Sequence, residues 1–186
     1  MTVQSEDSLN NLLPDNQQRL VTPAVMREFN ESVFAVGGLM SCRAVDGYQF
    51  VQGWQEPSFM TTSSDTKGVQ EDLTRAVFTL DDLSAANPPG DTSGAYRCDA
   101  WLAVIPDITI GLRLGYNLKG VLDVDYRMPD YVNCPAGVLT ILPTLIAGGR
   151  FSANQEAGLA INCDQDMTLG SDTCRISMAQ FAFIRQ

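Results

Sequence analysis

From Tyr48 to the C-terminus, apolar residues recur at every second position, the period of a strand with one buried face. The clearest stretch is Ile108-Thr109-Ile110-Gly111-Leu112-Arg113-Leu114-Gly115-Tyr116, in which every even residue is large and apolar and every odd one is polar or glycine. This pattern predicts about eight strands, near 46–54, 75–80, 95–105, 108–116, 120–126, 137–146, 158–163 and 174–184. The last of them, Ile176-Ser177-Met178-Ala179-Gln180-Phe181-Ala182-Phe183-Ile184, changes register midway, which predicts a β-bulge near Ala179-Gln180. Before Tyr48 the period differs. Val25, Met26, Phe29 and Val33 recur at helical spacing. Thr22 can accept from the first-turn amides, and Pro23 stands where a missing N–H costs nothing. Gly37-Gly38 supplies a stop, so a short helix is predicted over 22–36, behind a polar extended arm.

These elements predict a mainly β chain: an antiparallel β-sandwich, jelly-roll-like, of about eight strands, preceded by an extended N-terminal arm and one short helix. The expected division is 1–36 for the arm and helix and 37–186 for the β-sandwich head. An arm and one helix have no core of their own, so that segment is expected to fasten the head to something else. Met60–Gly68 and Ser84–Gly94 are rich in Ser, Thr, Gly and Pro and are predicted as surface loops, where recognition residues usually lie.

Composition narrows the function. The 186 residues carry a net charge of −10, and the 12 basic residues occur without a basic run. Neither phosphate neutralisation on nucleic acid nor attraction to an anionic membrane is expected. Met1–Asp7 has neither the basic nor the apolar region of a secretion signal, and no apolar window reaches membrane-span length. The five cysteines, Cys42, Cys98, Cys134, Cys163 and Cys174, have wide, irregular spacing that fits neither a disulfide framework nor a zinc site. They are expected to be buried, reduced thiols in a chain folding in a reducing cytoplasm.

Histidine is absent, which removes the commonest general base and metal ligand. Asp123 and Asp125 face the same side of a predicted strand, with Asp130 nearby. They are read as solvated acids on a strand edge rather than as a glycosidase pair. Asn162, Asp164, Asp166 and Asp172 offer oxygens at alternating spacing, but Met167 occupies the place of the glycine a calcium loop needs. That segment reads as a polar loop, and no metal, cofactor or catalytic residue is expected. Trp54, Trp101, Tyr96, Tyr116, Tyr126 and Tyr131 could offer stacking faces to sugars. Trp101 lies within an apolar strand and is assigned to the core. Trp54 ends a strand beside a loop and is the better candidate for a recognition surface.

Two segments resemble known families. Pro14-Asp15-Asn16 followed by Val21-Thr22-Pro23-Ala24-Val25-Met26-Arg27-Glu28-Phe29 is similar to the DN…(I/V)TP…(L/M)R.F opener of many tailed-bacteriophage fibre and head-decoration proteins, where it lies near the virion-attached end. Gly94–Leu102 with Leu112–Gly120 resembles the core of trimeric C1q/TNF-like jelly rolls, although Asn117 and Gly120 do not form the adjacent Asn-Gly turn of that pattern. The resemblance implies a homotrimeric virion structural protein, a head fibre or capsid-decoration protein, assembled in the host cytoplasm. It implies docking to a virion partner such as the major capsid protein through 1–36, with Thr22, Pro23, Val25, Met26, Phe29 and Val33 forming the attachment helix. The alternatives are the receptor-binding head of a tail fibre, recognising a host surface glycan, and an enzyme such as a depolymerase. The missing histidine and catalytic motifs count against the enzyme.

Overall fold

The computed structural model describes residues 36–86, 91–117 and 124–186, and side chains at 64–67 and 124–125 are not described. The predicted attachment helix over 22–36, apart from Val36, lies outside the described residues. So do the polar arm and Asp123.

Thirteen strands occur among the described residues: β1 Gly37–Tyr48, β2 Gly53–Gln55, β3 Thr62–Lys67, β4 Val69–Asp72, β5 Val77–Leu80, β6 Gly94–Pro106, β7 Ile110–Asn117, β8 Val124–Arg127, β9 Val132–Cys134, β10 Thr140–Ile141, β11 Leu145–Phe151, β12 Glu156–Cys163 and β13 Cys174–Arg185. One sheet runs β10-β6-β13-β1-β3, with β11 also pairing β6. The other runs β4-β5-β12-β7-β8, with β9 also pairing β7. The ladders are antiparallel throughout. Two sheets face one another across a shared core, the sandwich expected from the alternation.

The alternation in β7 holds as read: Ile110, Leu112, Leu114 and Tyr116 are fully buried. Their partners on β12, Leu159, Ile161 and Cys163, point the same way. From the opposite sheet come Met40 and Cys42 of β1, Tyr96, Cys98, Leu102 and Val104 of β6, and Phe181 and Phe183 of β13. Aromatic rings fill the middle. Tyr96 stacks on Phe183 with centroids 4.5 Å apart, and Phe78 of β5 lies 5.4 Å from Phe181. The hydroxyls of Tyr96 and Tyr116 donate to the carbonyls of Thr92 and Leu145, so neither ring carries an unsatisfied polar end into the core.

Several sequence-based boundaries are corrected. The single strand expected at 46–54 does not form: 46–48 are the end of β1, which begins at Gly37, and 53–54 belong to the short β2. Gly37-Gly38 therefore opens a strand. Gly37 has φ +149°, and a Cβ there would lie 2.2 Å from the Phe183 carbonyl oxygen, so this backbone approach admits only glycine. Met60–Gly68 is not wholly a loop. Phe59 and Met60 are buried, and Thr62–Lys67 forms the edge strand β3 on β1. An edge strand gains its order from main-chain pairing to one neighbour, so its polar side chains left no period-two signal. Gly68, at φ +63°, carries the chain from β3 in one sheet to β4 in the other. The segment expected as a single strand at 137–146 divides into β10 and β11, which are separated by 142–144, where Pro143 has no N–H to give the ladder. The bulge in β13 lies between Ile176 and Met178 rather than at Ala179-Gln180. It switches the inward residues from Cys174 and Ile176 to Ala179, Phe181 and Phe183.

Candidate recognition platform and oligomerisation face

The outer face of the β10-β6-β13-β1-β3 sheet follows from the inward placement of even residues in β6. Trp101, assigned from sequence to the core, is odd-numbered and lies on this outer face. It is half-buried, and its indole Nε1 donates to Gln180 Oε1 at 2.7 Å. Pairing aligns Trp101 with Gln180 and Ser41, and Ile141 with Ala103, Met178 and Arg43. A third row joins Ile146, Asp99, Ala182 and Leu39. Ile141 is 63% exposed and Ile146 60%, with Val138 and Leu139 also exposed beside them. Apolar side chains thus spread from the β10/β11 margin onto the face itself. Arg97 pairs with Asp99 Oδ2, while the other carboxylate oxygen of Asp99 is buried without a hydrogen-bond partner. A buried, unanswered acceptor is costly in an isolated subunit.

The second sheet carries a different surface. Arg113 of β7 and Asn162 of β12 are register partners whose side chains leave the core. Trp54 approaches from β2, which is placed by the Gln52–Cys163 bridge and by Gln52 Nε2 donating to the Asp164 carbonyl at 2.9 Å. Tyr131 approaches from the residue before β9. The Arg113 guanidinium lies 5.1 Å from the Trp54 ring and 4.6 Å from the Tyr131 ring, a cation held between two π faces. Its Nη1 reaches the Pro129 carbonyl at 3.5 Å, and Nε is buried with no acceptor. Tyr131 donates its hydroxyl to Asn162 Oδ1 at 2.6 Å. Asp164 closes the row, with Oδ1 accepting from the Gly111 amide at 2.8 Å. A Cβ at Gly111 would meet Asp164 Oδ2 at 2.6 Å, so glycine lets the carboxylate lie on the strand.

Of the sugar-stacking candidates read from sequence, Tyr96 and Tyr116 are in the core, whereas Tyr126 and Tyr131 are exposed. Trp54 is half-buried in the platform. Arg113 and Asn162 were missed as its partners, although their signal was present: polar residues at outward positions of strands otherwise carrying Gly111, Gly115, Gly158 and Ala160.

The Asp164/Asp166 loop shows ordinary turn chemistry. Asp166 Oδ1 accepts from the amide and hydroxyl of Thr168, and these bonds hold its carboxyl below the usual range. Among the described residues, no group of three His, Cys, Asp or Glu side chains is placed to hold a metal. All five cysteines are free and buried. Desolvation pushes Cys42 and Cys134 up to about 11 and Cys98 and Cys174 up to about 12, so each is a neutral thiol at neutral pH. No helix among the described residues is long and apolar enough to cross a membrane.

The sequence matches no family model and no curated protein. Solved structures with similar folds include the TNF protein Eiger from S. frugiperda, at 9% identity and TM-score 0.50, covering 82% of this chain and 92% of that one. Also similar are the globular domain of zebrafish complement 1qA (13% identity, TM-score 0.45, 80% of this chain and 96% of that one) and the PRD1 vertex protein P5 (10% identity, TM-score 0.41, 82% and 97%). At such identities the Eiger likeness concerns the fold, and it supports the sandwich described above: the head is a TNF-like jelly roll.

Proposed function

We propose that this chain is a bacteriophage virion structural protein, a head fibre or capsid-decoration protein, whose jelly-roll head forms a homotrimer and whose residues 1–36 dock onto a virion partner such as the major capsid protein. The observation that carries the oligomeric part is the pair of exposed apolar residues Ile141 and Ile146 on the outer face of the β6 sheet, beside the unanswered Asp99 oxygen. A strand with apolar groups on both faces calls for a second partner, and another copy supplies one. The virion part rests on the likeness of 14–29 to phage attachment openers. We read the protein as carrying no catalysis, for want of histidine and of a catalytic motif. Light scattering after size exclusion tests the trimer, and a stable monomer would overturn it. Incorporation into virions tests docking: Met26→Ala with Phe29→Ala should abolish it, and undiminished incorporation of the double variant would remove the attachment reading.

A second reading, the head of a tail fibre recognising a host surface glycan, is favoured by the grouping of Trp54, Tyr131, Arg113 and Asn162. Planar amide, carboxylate and guanidinium groups beside exposed rings are the chemistry that binds sugar hydroxyls and stacks against sugar C–H faces.

A further inference from the structure

We infer that the Trp54–Arg113–Tyr131–Asn162 platform binds a carboxylated saccharide, with the Arg113 guanidinium receiving the sugar carboxylate. This rests on the glycan reading above and specifies its ligand.

Charge comes first. The chain has 22 acidic and 12 basic residues, so an arginine has ample opportunity to find an internal carboxylate. Arg75 finds two, donating to Glu56 at 2.9 Å and approaching Glu156 at 3.5 Å. Arg97 takes Asp99, and Arg175 takes Asp46. Arg113 pairs with no carboxylate among the described residues. Its guanidinium carbon lies over two aromatic rings, 5.1 Å from Trp54 and 4.6 Å from Tyr131, which do not satisfy its N–H groups. One long bond to the Pro129 carbonyl answers a single nitrogen. A guanidinium beside two rings, with a single long bond from Nη1 and no carboxylate partner, leaves its terminal nitrogens for pairing with a planar anion.

The neighbours indicate what kind of anion. Asn162 is only 4% exposed, and its Oδ1 is occupied by Tyr131, which leaves the amide nitrogen as its donor. Asp164 is exposed with one oxygen anchored on Gly111, leaving the other as an acceptor for a hydroxyl. The Tyr131 ring is 42% exposed and offers a flat apolar face. A bare phosphate offers neither an apolar face for that ring nor a hydroxyl for the Asp164 acceptor. A ligand carrying one carboxylate, several hydroxyls and an apolar C–H face uses all four groups. Uronic and sialic acids have that combination.

The test is calorimetric titration of the full chain with oligomers of galacturonic acid, hyaluronan fragments and α2,8-linked N-acetylneuraminic acid, with maltoheptaose as a neutral control. Each acidic oligomer that binds is titrated again as its methyl ester, which keeps the hydroxyls and ring but removes the charge. We expect at least one acidic oligomer to bind and its ester to bind roughly 10- to 100-fold more weakly, the range for losing one charge-assisted bond. Arg113→Gln should abolish that difference, and Tyr131→Ala should weaken acid and ester alike. Equal binding of acid and ester by the unmodified chain would overturn the carboxylate assignment while leaving glycan recognition standing. No binding of any acidic or neutral oligomer would overturn both. Because the decisive comparison changes the ligand, it does not depend on the variants folding.

Discussion

Gly37 meets the Phe183 carbonyl so closely that its replacement is a test of how β1 is seated on β13. Gly37→Ala must move backbone, and a positive φ adds to the cost. A loss of about 2 kcal/mol or more is expected, seen as a fall of roughly 4–8 °C in melting temperature for a chain of this size. The thiols give a second test at this scale. Burial raises Cys42, Cys98, Cys134 and Cys174 from the ordinary 9.0 to about 11 or 12, so the native state keeps protons that the unfolded chain gives up first. Their contribution is intact below about pH 9 and is lost as pH rises toward 12. Tyr96 and Tyr116, raised by the same desolvation, lose theirs higher still. Melting temperature should be level from pH 7 to 9 and decline above it, and a level profile to pH 11 would contradict the burial. Native protein should react with an aromatic disulfide reagent at none of its cysteines, and denatured protein at all of them.

Among the elements, β6, β7, β12 and β13 were legible because their core-facing positions carry apolar residues at every second place. Elements ordered by main-chain pairing were not, and β3 with its Thr-Ser-Ser-Asp-Thr-Lys run is the example. Outward residues were legible as outward but not as partners, because the meeting of Trp54, Arg113 and Tyr131 depends on strands distant in sequence. Trp101 shows the same limit from the other side: residue type suggested the core, but strand parity placed it outside. At the β10/β11 margin, Ile141→Asp with Ile146→Asp should dissociate the proposed trimer while leaving the melting of each head little changed, because both side chains are exposed in the single chain. A double variant that remains trimeric would move the interface elsewhere. A variant that unfolds would show that these residues support the sandwich itself.

For the whole molecule, the described residues begin at Val36, directly before the first strand of the sandwich. Val36 is 1% exposed within the core, and its carbonyl accepts from the Arg185 amide at 3.0 Å. Removing residues 1–35 should therefore leave the melting temperature of the head within about 2 °C, while beginning the chain at Gly37 should lower it further by exposing the site Val36 fills, worth roughly 1.5–3 kcal/mol. Equal melting of the two truncations would mean that Val36 contributes nothing there.

The bond between Val36 and Arg185 also means that the head's two chain ends leave the fold side by side. If residues 1–36 dock as proposed, a bulky fusion appended after Gln186 should hinder docking, because it starts beside Val36, where that segment joins the head. The same adjacency makes the head a candidate for circular permutation. A linker of a few residues could join 186 to 36, with new ends opened within the 84–93 connection between β5 and β6. A permuted head would keep both sheets yet present no arm, separating what the face of the sandwich does from what the tether does.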